Sequence, residues 1–259
     1  MHPVLEKLFL KTRDAKRSLT TKVFQNFSIG SENYKNIYCE KPILVTESYL
    51  KKFDIPLVSD QSISIIKGII NNDQSYVALY TARPSLPPRE IGQPLLGYSP
   101  EAEIAADLNE LPSMPLIGLG KLAYWADKND MDPEKLLKPS PYQALAAIVA
   151  AMFDNELFGI EFAFDLYWRD QHFRINELIE FLKKGNDDVR LNINVFEDSL
   201  SGIQAGKKSA EYLCSLGIET HFSAWGVSKD IPKIDVLEKN GIEVYEDINQ
   251  ALSTVALSE

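Results

Sequence analysis

Residues 194–213, NVFEDSLSGIQAGKKSAEYL, set two adjacent carboxylates, Glu197 and Asp198, between a short apolar run and a glycine-bearing helix start. Paired negative charge at such a point has a local use. Asp198 and Ser199 can cap the helix that begins near residue 200, because acids and serines favour the free N–H groups and positive dipole end found there. The pair can also belong to a site shared with other segments. Three further points carry candidate chemistry: Thr46-Glu47-Ser48, Thr81 within LYTARP, and Lys138 within LKPSP just before a helix. The Thr81 hydroxyl and the Lys138 ammonium are donors that can attract phosphate or another small anion. Each has an ordinary use as well: Thr81 closing a turn, Arg83 pairing with a surface acid, Lys138 standing solvated beside Pro139.

Positioning these groups requires strand ends that face one way. Short apolar runs alternate with helix-period segments from residue 42 onward. PILV (42–45), YVALY (76–80), PLIG (115–118), RLNINVF (190–196), THFSAW (220–225) and IEVYE (242–246) read as strands. Between them, SISIIKGIINN puts Ile63, Ile66, Ile69 and Ile70 on one face. SPEAEIAADLNEL is expected to open with Ser99 as cap and Pro100 in the first turn, and SPYQALAAIVAAM repeats that start at Ser140 and Pro141. SGIQAGKKSAEYLCSLG closes on Gly217, a left-handed helix stop.

This alternation predicts an α/β fold with one doubly wound, mostly parallel sheet of five or six strands, whose carboxyl ends gather the ligand-facing residues. The expected organisation is an N-terminal helical extension over 1–40 and a core over 41–259. Helical insertions are expected around 85–137 and 142–188, the second holding two or three helices. The proline-rich SLPPREIGQPLLGYSP is expected to form an ordered loop over the site.

Composition narrows the function classes. The chain has 259 residues, 45% hydrophobic and 25% charged, with a formal charge of −10. That charge repels nucleic acid and anionic membrane, so neither is an expected partner. No apolar run approaches the roughly 20 residues of a membrane span. Cys39 and Cys214 are too few for a disulfide framework, which points to a reducing, cytoplasmic setting. Three histidines, at 2, 172 and 221, make a histidine metal site or triad improbable. The first 31 residues carry six Lys and Arg against Glu6 and Asp14. They suggest a transit peptide, or else a surface helix turning Leu5, Leu8 and Phe9 inward. In 142–188 the aromatics Phe158, Phe162, Phe164, Tyr167 and Trp168 are numerous enough to predict an apolar patch for a partner protein or a second copy.

A hydroxyl at a strand end, Lys-Pro before a helix, then VFEDSLSGIQAGK: this order resembles the second, third and fourth motifs of the haloacid dehalogenase-like (HAD) phosphohydrolases. The fourth is closest to the beta-phosphoglucomutase type. The resemblance spans roughly residues 42–250, and GIEVYEDINQAL is similar to the family's last strand and helix. It implies that Thr81 binds phosphoryl oxygens, that Lys138 steadies the charge on nucleophile and phosphate, and that Glu197 and Asp198 hold Mg²⁺. Carboxylates suit that metal, and an aspartate can attack phosphorus and leave again.

The family's first motif carries two aspartates, nucleophile and acid/base. Here the matching PILV is followed by Thr46-Glu47-Ser48, and both are missing. Threonine is a poor nucleophile without a base, and loss of a nucleophile costs on the order of 10⁴–10⁶ in rate. Three substitutes exist in the sequence: Glu47 turned inward by a bulge, Asp165 of FAFDLYWRD in a permuted arrangement, and Asp54 or Asp60 from the following loop. The expectation is therefore a catalytically silent or impaired phosphate- or anion-binding or regulatory module, with Mg²⁺ weak or absent. The alternative is a Mg²⁺-dependent phosphohydrolase or phosphotransferase with an unconventional nucleophile. Either way, Thr46, Thr81, Lys138 and Asp198 should converge on one cleft.

Overall fold

The computed structural model describes residues 4–5, 18–72, 74–92, 98–185 and 190–256. In chain order, helices α1 (Leu19–Ile29), α2 (Ser31–Tyr38), α3 (Tyr49–Phe53) and α4 (Asp60–Ile70) precede strand β1 (Leu79–Tyr80). Then come α5 (Glu101–Leu108), β2 (Leu116–Ile117), α6 (Leu119–Lys128), α7 (Pro141–Phe153), α8 (Glu156–Tyr167) and α9 (Ile175–Gly185). The chain continues with β3 (Arg190–Glu197), α10 (Leu200–Ser215), β4 (Glu219–Val227), α11 (Ile231–Lys239), β5 (Glu243–Tyr245) and α12 (Ile248–Ala256).

The strands are parallel, as the alternation of elements predicts. Among the described residues they form two hydrogen-bonded sheets, β1–β2 and β3–β4–β5, rather than one of five or six strands. Register pairs Tyr80 with Ile117 in the first and Glu197 with Gly226 in the second. Val77 and Leu79, at β1, and Phe196, on β3, pack around the same buried cluster of Ile66, Leu111, Met114 and Leu252.

The main core is helical. Ser140 caps α7, accepting from the Tyr142 N–H, with Pro141 in the first turn. Its sequence is apolar on nearly every side, so the helix is buried all round. It lies against α8 at close range: a Cβ on Gly159 would stand 2.5 Å from the Ala146 carbonyl oxygen. Asn155 caps α8 through the Phe158 N–H. The start of α8 is tied down by a buried charge network. Glu156 accepts from the backbone N–H groups of Leu116 and Arg89, and Lys121, 2% exposed, lies 2.7 Å from Glu103 and 3.5 Å from Glu156.

Several expectations change. PILV is not a strand. The Leu44 N–H donates to the Asn26 side chain, the Leu44 carbonyl accepts from the Ser31 hydroxyl, and the Thr46 N–H and carbonyl both meet Ser31. With those backbone groups satisfied by the α1–α2 turn, the segment needs no ladder, and Val45 is fully solvent-exposed. Hence β1, not 42–45, is the first strand among the described residues, and the helical N-terminal block runs past residue 40 to include α3. This block docks on α5, where Ile29, Tyr34, Tyr38 and Ile104 form a small cluster and the Tyr38 hydroxyl donates to the Tyr98 carbonyl.

The aromatic patch predicted in 142–188 largely turns into core. Phe162 and Phe164 are buried, Phe158 packs at a tilt against Phe153, and Tyr167 and Trp168 alone of the five are exposed. Leu5 is exposed rather than inward-facing. Leu8 and Phe9 lie outside the described residues, as do 93–97 of the predicted proline-rich loop. No helix among the described residues is long and apolar enough to cross a membrane.

Candidate functional site

The carboxyl ends of β1, β2 and β3 meet the loop before α7. Gln143, fully buried one turn into α7, organises the junction. Its side-chain N–H₂ donates to the carbonyls of Thr81 and Ile117, each at 2.9 Å, while its oxygen accepts from the Lys138 N–H at 3.2 Å. One side chain thus joins the ends of β1 and β2 to the Lys138 backbone.

The Lys138 ammonium forms an ion pair with Glu197 at the end of β3, both side chains being mostly buried (15% and 11% exposed). Glu197 is held from every side. The Ser199 hydroxyl donates to the oxygen that meets Lys138, and the Asp198 N–H donates to the other. A side chain at Gly202 would run into this carboxylate, so the glycine makes the room it occupies. Ser199 also caps α10 through the Gly202 N–H, so the predicted cap is present, supplied by the serine.

Beneath Lys138 lies Tyr80, the last residue of β1. The ammonium stands 5.6 Å from the ring centroid, and the phenol donates to the Gly202 carbonyl at 3.0 Å. Burial, and then the negative charge of Glu197, pushes the phenol pKa well above its ordinary value, so the hydroxyl stays protonated and acts as a donor.

Asp198 pairs with Lys233, near the start of α11. Burial works to raise the Asp198 pKa, but the Lys233 hydrogen bond and charge outweigh it and hold the carboxyl below the usual carboxylate range.

Of the predicted site residues, the structure brings together Thr81, Lys138, Glu197 and Asp198. Thr81 directly follows the first strand rather than the second, and its hydroxyl accepts from the Arg83 N–H. Thr46, Glu47 and Ser48 engage partners elsewhere. The Thr46 hydroxyl donates to the Glu47 carbonyl. Glu47 is exposed and paired with Lys52, which lowers its pKa through hydrogen bond and charge. Ser48 caps α3 and donates to the Ser28 carbonyl.

Among the substitute nucleophiles, Asp165 is enclosed in the helical core with its oxygens on Arg169 and Arg174. Asp54 reaches Arg83, just past β1, at 3.4 Å. Asp60 lies in the first turn of α4.

Tyr80, Gln143, Gly202 and Lys233 were missed from sequence. One usable signal existed, the glutamine that directly precedes the apolar run ALAAIVAA in α7.

The acids do not fit a Mg²⁺ site. Mg²⁺ asks for several oxygen ligands in near-octahedral array. Glu197 spends both oxygens on Lys138, Ser199 and the Asp198 N–H, and Asp198 holds Lys233. Among the described residues no three His, Cys, Asp or Glu side chains come together as metal ligands.

No protein-family model matches this chain, and comparison with curated proteins and with solved structures likewise finds no match.

Proposed function

We propose that this chain is a HAD-like protein that binds without turning over: a catalytically silent phosphate- or anion-binding or regulatory module. In this reading the two short sheets are parts of one doubly wound layer, with β1 beside β3. Tyr80 and Thr81 then stand at the end of its first strand, where the family carries its nucleophile. Lys138 and Glu197 keep the places of the third and fourth motifs.

The observation that carries the reading is the identity of that strand-end residue. Tyr80 is a half-buried, protonated phenol committed to the Gly202 carbonyl, and in this reading it holds the position where a carboxylate would attack phosphorus. The sole carboxylate paired with Lys138 among the described residues is Glu197, and its oxygens are spent on donors. Phosphoryl transfer by this route needs a free, anionic nucleophile that is also a fair leaving group.

What remains is a set of donors at these strand ends: Lys138, Lys233 and the Thr81 hydroxyl. Both lysines are matched by acids, so a small anion would bind weakly, displacing an ion pair to do so.

The test is a panel of phosphomonoesters with Mg²⁺, run on the native protein, on Glu47→Gln and on Tyr80→Asp. No native turnover is expected. Native turnover abolished by Glu47→Gln would sink the silent reading and install Glu47 as nucleophile. Activity arising in Tyr80→Asp alone would fix Tyr80 at the nucleophile position.

A further inference from the structure

We infer that Lys233 is the resident cation of this site: its ammonium takes the place at Asp198 that a divalent ion would need, while Glu197 serves as the fixed counter-ion of Lys138. The fold delivers Lys233 there. Parallel register sets Gly226 opposite Glu197, so β4 ends beside the end of β3. The Ser228 hydroxyl accepts from the Asp230 N–H, turning the chain into α11, whose second residue is Pro232. Lys233 follows in that first turn and reaches back to Asp198.

Charge accounting supports the assignment. Two carboxylates, Glu197 and Asp198, face two ammonium groups, Lys138 and Lys233, in two one-to-one ion pairs, and Asp230 adds further negative charge near Lys233. Adding Mg²⁺ to the two pairs would leave them with a double positive charge unless Lys233 withdrew. Removing Lys233 instead leaves them one net negative charge and frees an oxygen of Asp198. The two lysines also differ in kind. Lys138 is mostly buried and its carboxylate is saturated, whereas Lys233 is 45% exposed on a flexible stem and can be replaced without opening the core. The inference concerns the same cleft as the proposed function but rests on the two ion pairs. Its test reads metal rather than turnover, so either can fail while the other stands.

The experiment is calorimetric titration with Mg²⁺ of the native protein, Lys233→Met, Lys233→Gln and the Lys233→Met/Asp198→Asn double variant, each with a melting curve to confirm folding. The native protein should show no saturable binding tighter than millimolar. At least one single variant should bind Mg²⁺ at least about tenfold tighter, and the double variant should lose that gain. Micromolar binding by the native protein would overturn the inference. So would two Lys233 variants that bind no tighter than native, or a gain that survives in the double variant.

Discussion

The Tyr80 hydroxyl donates a 3.0 Å hydrogen bond to the Gly202 carbonyl, linking the end of β1 to the first turn of α10. The bond fixes the phenol beneath the Lys138 ammonium and fills the end of the strand with a group that neither ionises near neutral pH nor attacks. Tyr80→Phe keeps the ring and removes the donor. It should cost about 0.5–1.5 kcal/mol, the net worth of one hydrogen bond, because the Gly202 carbonyl still accepts within the helix. Urea unfolding of the two proteins would check this; equal midpoints would show that the bond carries nothing.

Glu197 and Gly202 should be energetically coupled, because a Cβ at 202 would occupy the space of the carboxylate. Glu197→Ala strands a mostly buried Lys138 and should cost about 3–5 kcal/mol. Gly202→Ala should cost about 1–3 kcal/mol in the native background by pushing the carboxylate off Lys138, and much less once Glu197 is already alanine. A double-mutant cycle from unfolding curves reads that difference. Strict additivity would contradict the packing described.

Gln143→Leu retains approximate volume but abandons the Thr81 and Ile117 carbonyls and the Lys138 N–H. The Ile117 carbonyl still accepts from the Thr81 N–H, but the Thr81 carbonyl and the Lys138 N–H lose this partner, so the loss should reach about 2–5 kcal/mol. Hydrogen exchange should quicken at the Lys138 amide, whose acceptor is gone. Unchanged exchange there would argue against the bridge.

Glu156 gives a pH signature. Burial raises its pKa above 4.5, outweighing the attraction of Lys121 and the backbone donors of Arg89 and Leu116. A raised folded-state pKa means the folded protein holds the proton more tightly than the unfolded chain. This contribution is therefore full below pH 4.5 and is lost as pH rises through the raised value. Native stability measured relative to Glu156→Gln should fall across that window. A flat difference would show that Glu156 titrates normally.

Much of this architecture is legible in the sequence, for identifiable reasons. α7 and α10 carry their caps, Ser140-Pro141 and Ser199, and α10 stops at Gly217, whose φ is 92°. β3 and β4 are long enough to show their character, and the predicted ends fall within two residues of those observed. PILV misleads because the groups that satisfy its backbone, Asn26 and Ser31, lie in the preceding helices, where no local pattern reveals them. That error counted 42–45 as the first strand and so put Thr81 after the second. Tyr80 stayed hidden because in YVALY an aromatic counts as apolar, whereas its hydroxyl decides the chemistry of the strand end. Lys233 left no local signal; parallel pairing of β3 with β4 brings it to Asp198.

The central claim, that the cleft lacks a phosphoryl-accepting nucleophile, is tested most directly by covalent labelling. Native protein is incubated with radiolabelled acetyl phosphate and Mg²⁺, denatured, and counted with and without hydroxylamine, which cleaves acyl-phosphates. The account predicts label no higher than in a Lys138→Met control. Near-stoichiometric label that hydroxylamine removes and Lys138→Met abolishes would reveal a working carboxylate nucleophile and contradict it.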